Sequence, residues 1–220
     1  MSFKFVHGWW LPAEDTHFDE YLAKSIEIKG KRLYQPKHLS RCFHYIHLKK
    51  NKNTAIDIGA HCGFWSFYLS LNFNKTYAFE PVERFRECFK KNVTSTNVEL
   101  MPFAIGEINK TVSLNINFNN TGATHVSEGA YNENNVEMKK LDEFKFENLD
   151  FVKIDVEGYE SNVVLGAEDT LKKHKPLIII EQKKNNSERY ANGQFEAIDI
   201  LKKYGANVVE QVVNDYILEW

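Results

Sequence analysis

Six residues of this chain have types and positions suited to chemistry: Asp57, Glu80, Asp155, Glu157, Glu181 and His125. Asp57 sits in the run Thr54–Ile58, just before a glycine-containing turn. Glu80 closes Thr76–Phe79, Asp155 and Glu157 follow Phe151–Ile154, and Glu181 follows Pro176–Ile180. Short apolar runs of this kind, rich in β-branched residues, read as buried strands. Open α/β sheets bind ligands at the carboxyl ends of their strands, so acids delivered there from several strands surround one crevice. Such a cluster takes up cations, ribose and amino groups, and crowding lifts a carboxyl pKa toward base function. The bland alternative is capping: Glu157 and Glu160 also suit a helix N-terminus. His125 lies within the polar stretch 119–135, which lacks periodicity. A loop of that length in a compact domain usually carries function.

The turn after Thr54–Ile58 reads G-A-H-C-G, with Gly59, Ala60, His61 and Gly63. Phe64, Phe67, Tyr68 and Leu71 then mark one face of a helix. Strand, small-residue turn, helix, strand and a closing acid make the nucleotide-binding half of a doubly wound sheet. Glu80 stands about 20 residues past the turn, where a carboxylate can accept both hydroxyls of a ribose. The spacing D-x-G-x-x-x-G is not the G-x-G-x-x-G of dinucleotide enzymes. One bare-backbone position is missing, and Asp57 would repel a pyrophosphate. A ligand with a cationic end and a ribose but no phosphate fits better, which favours S-adenosylmethionine over NAD.

Positioning these residues takes alternating β and α elements followed by a terminal β-β pair. The expected fold is α/β: a doubly wound, mostly parallel seven-stranded sheet with an antiparallel C-terminal edge hairpin, helices on both faces and a small N-terminal extension. Residues 25–28 and 31–34 suggest a small hairpin around Gly30, and Pro36 opens a helix striped by Leu39, Cys42, Phe43 and Ile46. Pro81 and Val82 open another with Phe85, Cys88 and Phe89 inward. Val98–Ile105 reads as the third strand, and Thr111–Phe118 alternates as an added antiparallel strand. A helix starts near Glu160, a further one carries Ala197, Ile200, Leu201 and Tyr204, and Asn207–Val212 and Tyr216–Trp220 close the chain. Residues 1–50 form an extension and leading helix expected to act as a substrate lid, and 51–220 the catalytic domain. Adjacent Trp9 and Trp10 cannot both face one core in an extended segment. Both read as packing, or one as a wall for the acceptor.

With 220 residues and a formal charge of −2, the chain has no global basic field for nucleic acid. Its lysine clusters at 49–52 and 172–175 read as solvated helix ends. Three irregularly spaced cysteines argue for a reducing compartment and against a disulfide frame or zinc site. No signal peptide and no long apolar run is evident, so a cytoplasmic protein without a membrane partner is expected. His44 and His47 are spaced i, i+3 on a helix, but no matching carboxylate is near.

The motifs V-K-I-D-V-E-G-Y-E, G-A and K-P-L-I-I-I-E resemble the signature of the FkbM family of S-adenosylmethionine-dependent methyltransferases. I-D-I-G-A-H-C-G-F-W-S, A-F-E-P and F-A-I-G-E are similar to that family's other motifs, and together they span Thr54 to Glu181. The resemblance implies a class I Rossmann-like fold and methyl transfer, usually to a hydroxyl oxygen of a sugar, polyketide or related metabolite. It implies donor binding by Asp57, Gly59, Ala60, His61, Gly63, Glu80, Pro81, Phe103 and Ala104. Asp155, Glu157 and Glu181 would line the place where methyl meets acceptor. The loop reads G-A-T-H where the family commonly has a small polar stretch, which makes His125 a feature of this chain's own substrate.

The expected reaction is transfer of methyl from S-adenosylmethionine to a hydroxyl of a small molecule or glycan, leaving S-adenosylhomocysteine. In-line displacement needs alignment above all, and an alcohol must also lose a proton. Asp155 or His125 is the candidate base, with Glu157 beside them. Trp9, Trp10, Tyr131 and Glu181 are candidates for the acceptor wall. Asp155, Glu157 and Glu181 have the oxygen donors for Mg²⁺, but no metal is expected. The alternatives are a 2′-hydroxyl or other nucleic-acid target, for which an N-P-P-Y-like motif is lacking, and a non-catalytic protein of the same fold, which would not need the strand-end acids.

Overall fold

Residues 2–127 and 134–220 are described by the computed structural model. Seven strands make its central sheet: β1 (Thr54–Ile58), β2 (Lys75–Phe79), β3 (Val98–Met101), β4 (Leu149–Ile154), β5 (Leu177–Glu181), β6 (Asn207–Val212) and β7 (Asp215–Glu219). Their spatial order is β6-β7-β5-β4-β1-β2-β3, with only β7 antiparallel to its neighbours. Every residue of β1 and β5 is buried, as parallel strands covered on both faces require.

Alternate strand residues face two helical layers. Ile56, Val152 and Ile178 pack against helices Glu160–Leu165, Glu168–His174 and Glu196–Tyr204 on one face. On the other face, Ala55, Phe151 and Ile179 meet α2 (Pro36–Leu48) and α3 (Phe64–Ser70), after a first helix α1 (His17–Ala23). α4 (Glu83–Asn92) follows β2. Sequence order reverses between β1 and β4, so the crevice opens there.

Two sequence expectations need correction. Val98–Ile105 is not one strand: β3 ends at Met101, and Ala104–Ile105 joins a separate four-stranded sheet with Lys110–Asn115, His125–Ser127 and Asn135–Lys139. Pro102 lies at the break and has no N–H for the ladder. The stretch 119–135 is not all loop either. Thr121–Ala123 forms a 3-10 turn, and His125–Ser127 pairs with Ser113–Asn115. Three residues are too few to show alternation.

The N-terminal segment is a hairpin, Phe3–Val6 with Trp9–Pro12, turned by His7 and Gly8 at φ 54° and 84°. One side chain fastens it. Asn92 accepts from Trp10 N at 2.7 Å and donates to Trp10 O at 2.9 Å and Cys62 O at 2.8 Å. A second hairpin, Glu27–Ile28 with Lys31–Arg32, follows.

Candidate functional site

At the switch point, Gly59 leaves β1 with φ +81°, and a Cβ on it would lie 1.9 Å from the Asp155 carbonyl oxygen. No other residue lets β1 and β4 end this close together. Gly59→Ala is expected to destabilise the fold by roughly 2–5 kcal/mol through backbone strain and overpacking. Urea denaturation measures it, and an unchanged midpoint would mean that the two strand ends separate freely.

Gly59 opens a cavity that Asp57, Ala60 and His61 also line. Gly63 does not line it; at φ +90° it starts α3, with Val93 and Phe89 against its α-carbon. Glu80 is buried at the end of β2. Its two oxygens accept from His61 N and Val82 N, each at 2.8 Å. Burial pushes this carboxyl up to about 7 against the pull of those two N–H groups. Pro81, Phe103 and Ala104 continue the wall.

Asp57 is wholly buried. One oxygen accepts from the Ser66 hydroxyl at 2.6 Å, and the other has no hydrogen-bond partner. The Lys153 ammonium stands 3.8 Å from that other oxygen and 3.2 Å from Asp155. Burial alone would lift Asp155, but Lys153 and Lys183 outweigh it and hold the carboxyl below its usual range. Burial raises Glu157 and Glu181, and the Asp155 charge raises them further. One firmly ionised carboxylate therefore adjoins two that hold their protons more tightly. Glu157 also has a left-handed backbone, φ 57°, unusual for its type.

Asp155, Glu157 and Glu181 bring carboxylate oxygens within 4.8 Å of one another, a spacing a hard divalent cation could bridge. Lys183 already reaches into this group, 2.8 Å from Glu181 and 3.1 Å from Glu157. Behind it, Asp215 pairs with His38 at 3.3 Å, and burial lifts Asp215 to about 7.

Asp155, Glu157 and His125 all line the cavity, whereas Glu181 sits beside it rather than on its wall. His125 Nδ1 lies 2.9 Å from the Ala123 carbonyl, which only accepts, so Nδ1 carries a hydrogen. Trp9 and Trp10 do not line it. Trp9 is fully buried edge-on against Phe64 and Phe67, with its N–H given to Arg32 O at 2.7 Å. Trp10 packs tilted against Phe5 outside it, ring centroids 5.3 Å apart. The N-terminal aromatic residues that reach the cavity are Phe18 and Tyr34. Tyr131 lies outside the described residues.

Lys153, Phe18 and Tyr34 escaped the sequence reading. Lys153 had a signal: a lysine inside the apolar run F-V-K-I needs a buried partner. The two aromatic residues had none, because their segment lacks a period tied to the nucleotide-binding unit. Among the described residues, no helix is long and apolar enough to cross a membrane.

A family model described as the methyltransferase FkbM domain matches residues 57–208. No curated protein matches the sequence significantly. Among solved structures, methyltransferase FkbM from Methylobacillus flagellatus superposes with TM-score 0.52 and 15% identity, over 90% of this chain and 49% of that one. The chain thus spans about half the length of that relative. Precorrin-6y C5,15-methyltransferase from Geobacter metallireducens gives 0.51 and 15%, over 90% and 94%. N-methyltransferase NodS from Bradyrhizobium japonicum, in complex with S-adenosyl-L-homocysteine, gives 0.51 and 11%, over 83% and 84%. At these identities the likeness is one of fold.

Proposed function

The chain belongs to the FkbM methyltransferase family, and we propose that it transfers a methyl group from S-adenosylmethionine to a hydroxyl oxygen of a small-molecule or glycan acceptor. The observation that carries this reading is one cavity whose wall joins two sets of acids. Glu80 stands at the end of β2, and the Asp57 carboxylate lies beside the Lys153 ammonium. On that same lysine stands ionised Asp155, with Glu157 and its raised pKa next to it.

Bound S-adenosylmethionine supplies a methyl group activated by its sulfonium. The chain's residues do the rest. Glu80 receives the ribose hydroxyls, the Asp57 carboxylate, shared with Lys153, lies toward the donor's methionine end, and Phe103 and Ala104 border the adenine. Asp155 accepts a hydrogen bond from the acceptor hydroxyl and aligns it. As the new C–O bond forms, the hydroxyl proton passes to Glu157, the more basic carboxylate. His125, its Nδ1–H given to Ala123, offers Nε2 as the second group on the wall for that proton. Tyr34, kept protonated by burial and by the nearby acids, remains a hydrogen-bond donor. We read Phe18 and Tyr34 as the part of residues 1–50 that closes over the acceptor. A site this acidic suits a neutral polyol and repels the phosphates of a nucleic acid.

Glu80 gives the donor half a direct test. If only its ionised form binds the ribose, S-adenosylhomocysteine affinity should rise about tenfold between roughly pH 6 and roughly pH 8. Glu80→Gln should weaken binding by about tenfold or more and abolish that pH dependence, because an amide offers one acceptor where two N–H groups need two. Calorimetry at both pH values measures this. A Gln variant that binds like the wild type would remove Glu80 from the site. A methyl-transfer assay over a panel of sugars and polyols tests the acceptor class, and transfer confined to amines or RNA would overturn it.

A further inference from the structure

Asp15, Thr121 and His61 form a buried relay above the glycine turn. Asp15 and Thr121 are 0% and 1% exposed. One Asp15 oxygen accepts from Phe18 N at 2.7 Å; the other accepts from Thr121 N at 2.8 Å and from the Thr121 hydroxyl. Thr121 Oγ1 lies 2.8 Å from His61 Nε2.

Chemistry fixes the direction of this chain. A carboxylate only accepts, so the Thr121 hydroxyl points its hydrogen at Asp15. Its oxygen can then only accept from the ring, which puts the imidazole hydrogen on Nε2. Nδ1 is left with a bare lone pair, and it is buried without a partner. Burial keeps the ring neutral, pushing its pKa down to about 4. Phe18 and Phe85 hold the ring at centroid distances of 4.9 and 4.3 Å. His61 lines the same cavity as Asp57, whose second oxygen is buried without a hydrogen bond, the Lys153 ammonium standing 3.8 Å from it.

We propose that Asp15 and Thr121 are positioning residues that fix His61 as the Nε2–H tautomer, so that Nδ1 accepts a hydrogen bond from the α-ammonium of the bound donor. The inference rests on the donor reading above. A bare acceptor on the turn, close in sequence to the Asp57 carboxylate on β1, suits a cationic group with several N–H bonds. The α-ammonium of S-adenosylmethionine is such a group, whereas its ribose hydroxyls are served by Glu80.

The test has two arms on the full chain. Nitrogen NMR of the His61 ring without ligand should show the Nε2–H tautomer near neutral pH; an Nδ1–H tautomer overturns the relay. Calorimetry with S-adenosylhomocysteine should show Thr121→Val about tenfold weaker, the loss of one well-placed hydrogen bond. Thr121→Ser, which restores the hydroxyl, should bind within a few-fold of wild type. So should His61→Asn, whose amide oxygen reaches the place of Nδ1 and which tolerates the left-handed φ of 49°. With the analogue lacking the amino group, Thr121→Val and wild type should bind alike. Wild-type affinity in a folded Thr121→Val overturns the proposal and leaves the donor reading standing. A wild type that binds no S-adenosylhomocysteine overturns the donor reading and the ligand named here, while the ring NMR still decides the tautomer.

Discussion

Asp155→Asn is expected to lower turnover by roughly 10²- to 10³-fold while S-adenosylhomocysteine binding stays within a few-fold of wild type. The substitution keeps the shape of the side chain and an oxygen for the Lys153 ammonium, which lies 3.2 Å away. It removes the charge proposed to order the acceptor hydroxyl, which is also the charge that raises Glu157. With that charge gone, Glu157 becomes a weaker base. Loss of alignment and loss of basicity act together, so the effect should exceed that of removing one hydrogen bond. Turnover is read on an acceptor that the wild type methylates, binding by calorimetry. Full activity in the variant would take Asp155 out of the reaction. A parallel loss of donor binding would make it a structural acid instead.

The second large effect is on stability. Lys153→Met should cost about 3–5 kcal/mol, the range for a buried charge network that loses one partner. Lys153 is 5% exposed, and its removal leaves Asp57 and Asp155 as neighbouring buried acids. Both carboxyls would then have folded-state pKa values above their unfolded ones. A group of that kind takes up a proton more readily when folded, so its penalty is present above the folded pKa and fades as pH falls toward the unfolded value. The variant should therefore lose more stability at about pH 8 than at about pH 5. Urea midpoints at the two pH values decide it. Adding Asp57→Asn should recover part of the loss, because the like-charge pair is gone. An equal loss at both pH values would mean that Lys153 contributes packing rather than charge.

The nucleotide-binding half was legible because its signals are local. Thr54–Ile58, Gly59 and Glu80 lie within one strand-helix-strand unit, and each reports its place through its neighbours in sequence. Lys153 was not legible in the same way. Its partner Asp57 is its direct register neighbour across β1 and β4, a relation that exists only after the strands pair. The same holds for Asp15 and Thr121, which are 106 positions apart. Strand alternation told correctly that Trp9 and Trp10 must part company, but which one turns inward depends on how the hairpin meets α4. Tertiary placement, not composition, also separated Glu181 from the cavity wall that Asp155 and Glu157 share.

The pairing of Asp57 with Lys153 has a consequence for the nascent chain. β1, β2 and β3 leave the ribosome early and can associate while β4 is still unmade. Until then β1 is a bare edge of apolar residues, the kind of surface that recruits foreign strands. Asp57 places one charge in the middle of that edge, and only a strand bringing a cation to the same register can cover it without penalty. The pairing thus makes the charge that marks the unfinished edge of β1 the same one that β4 covers when its lysine arrives.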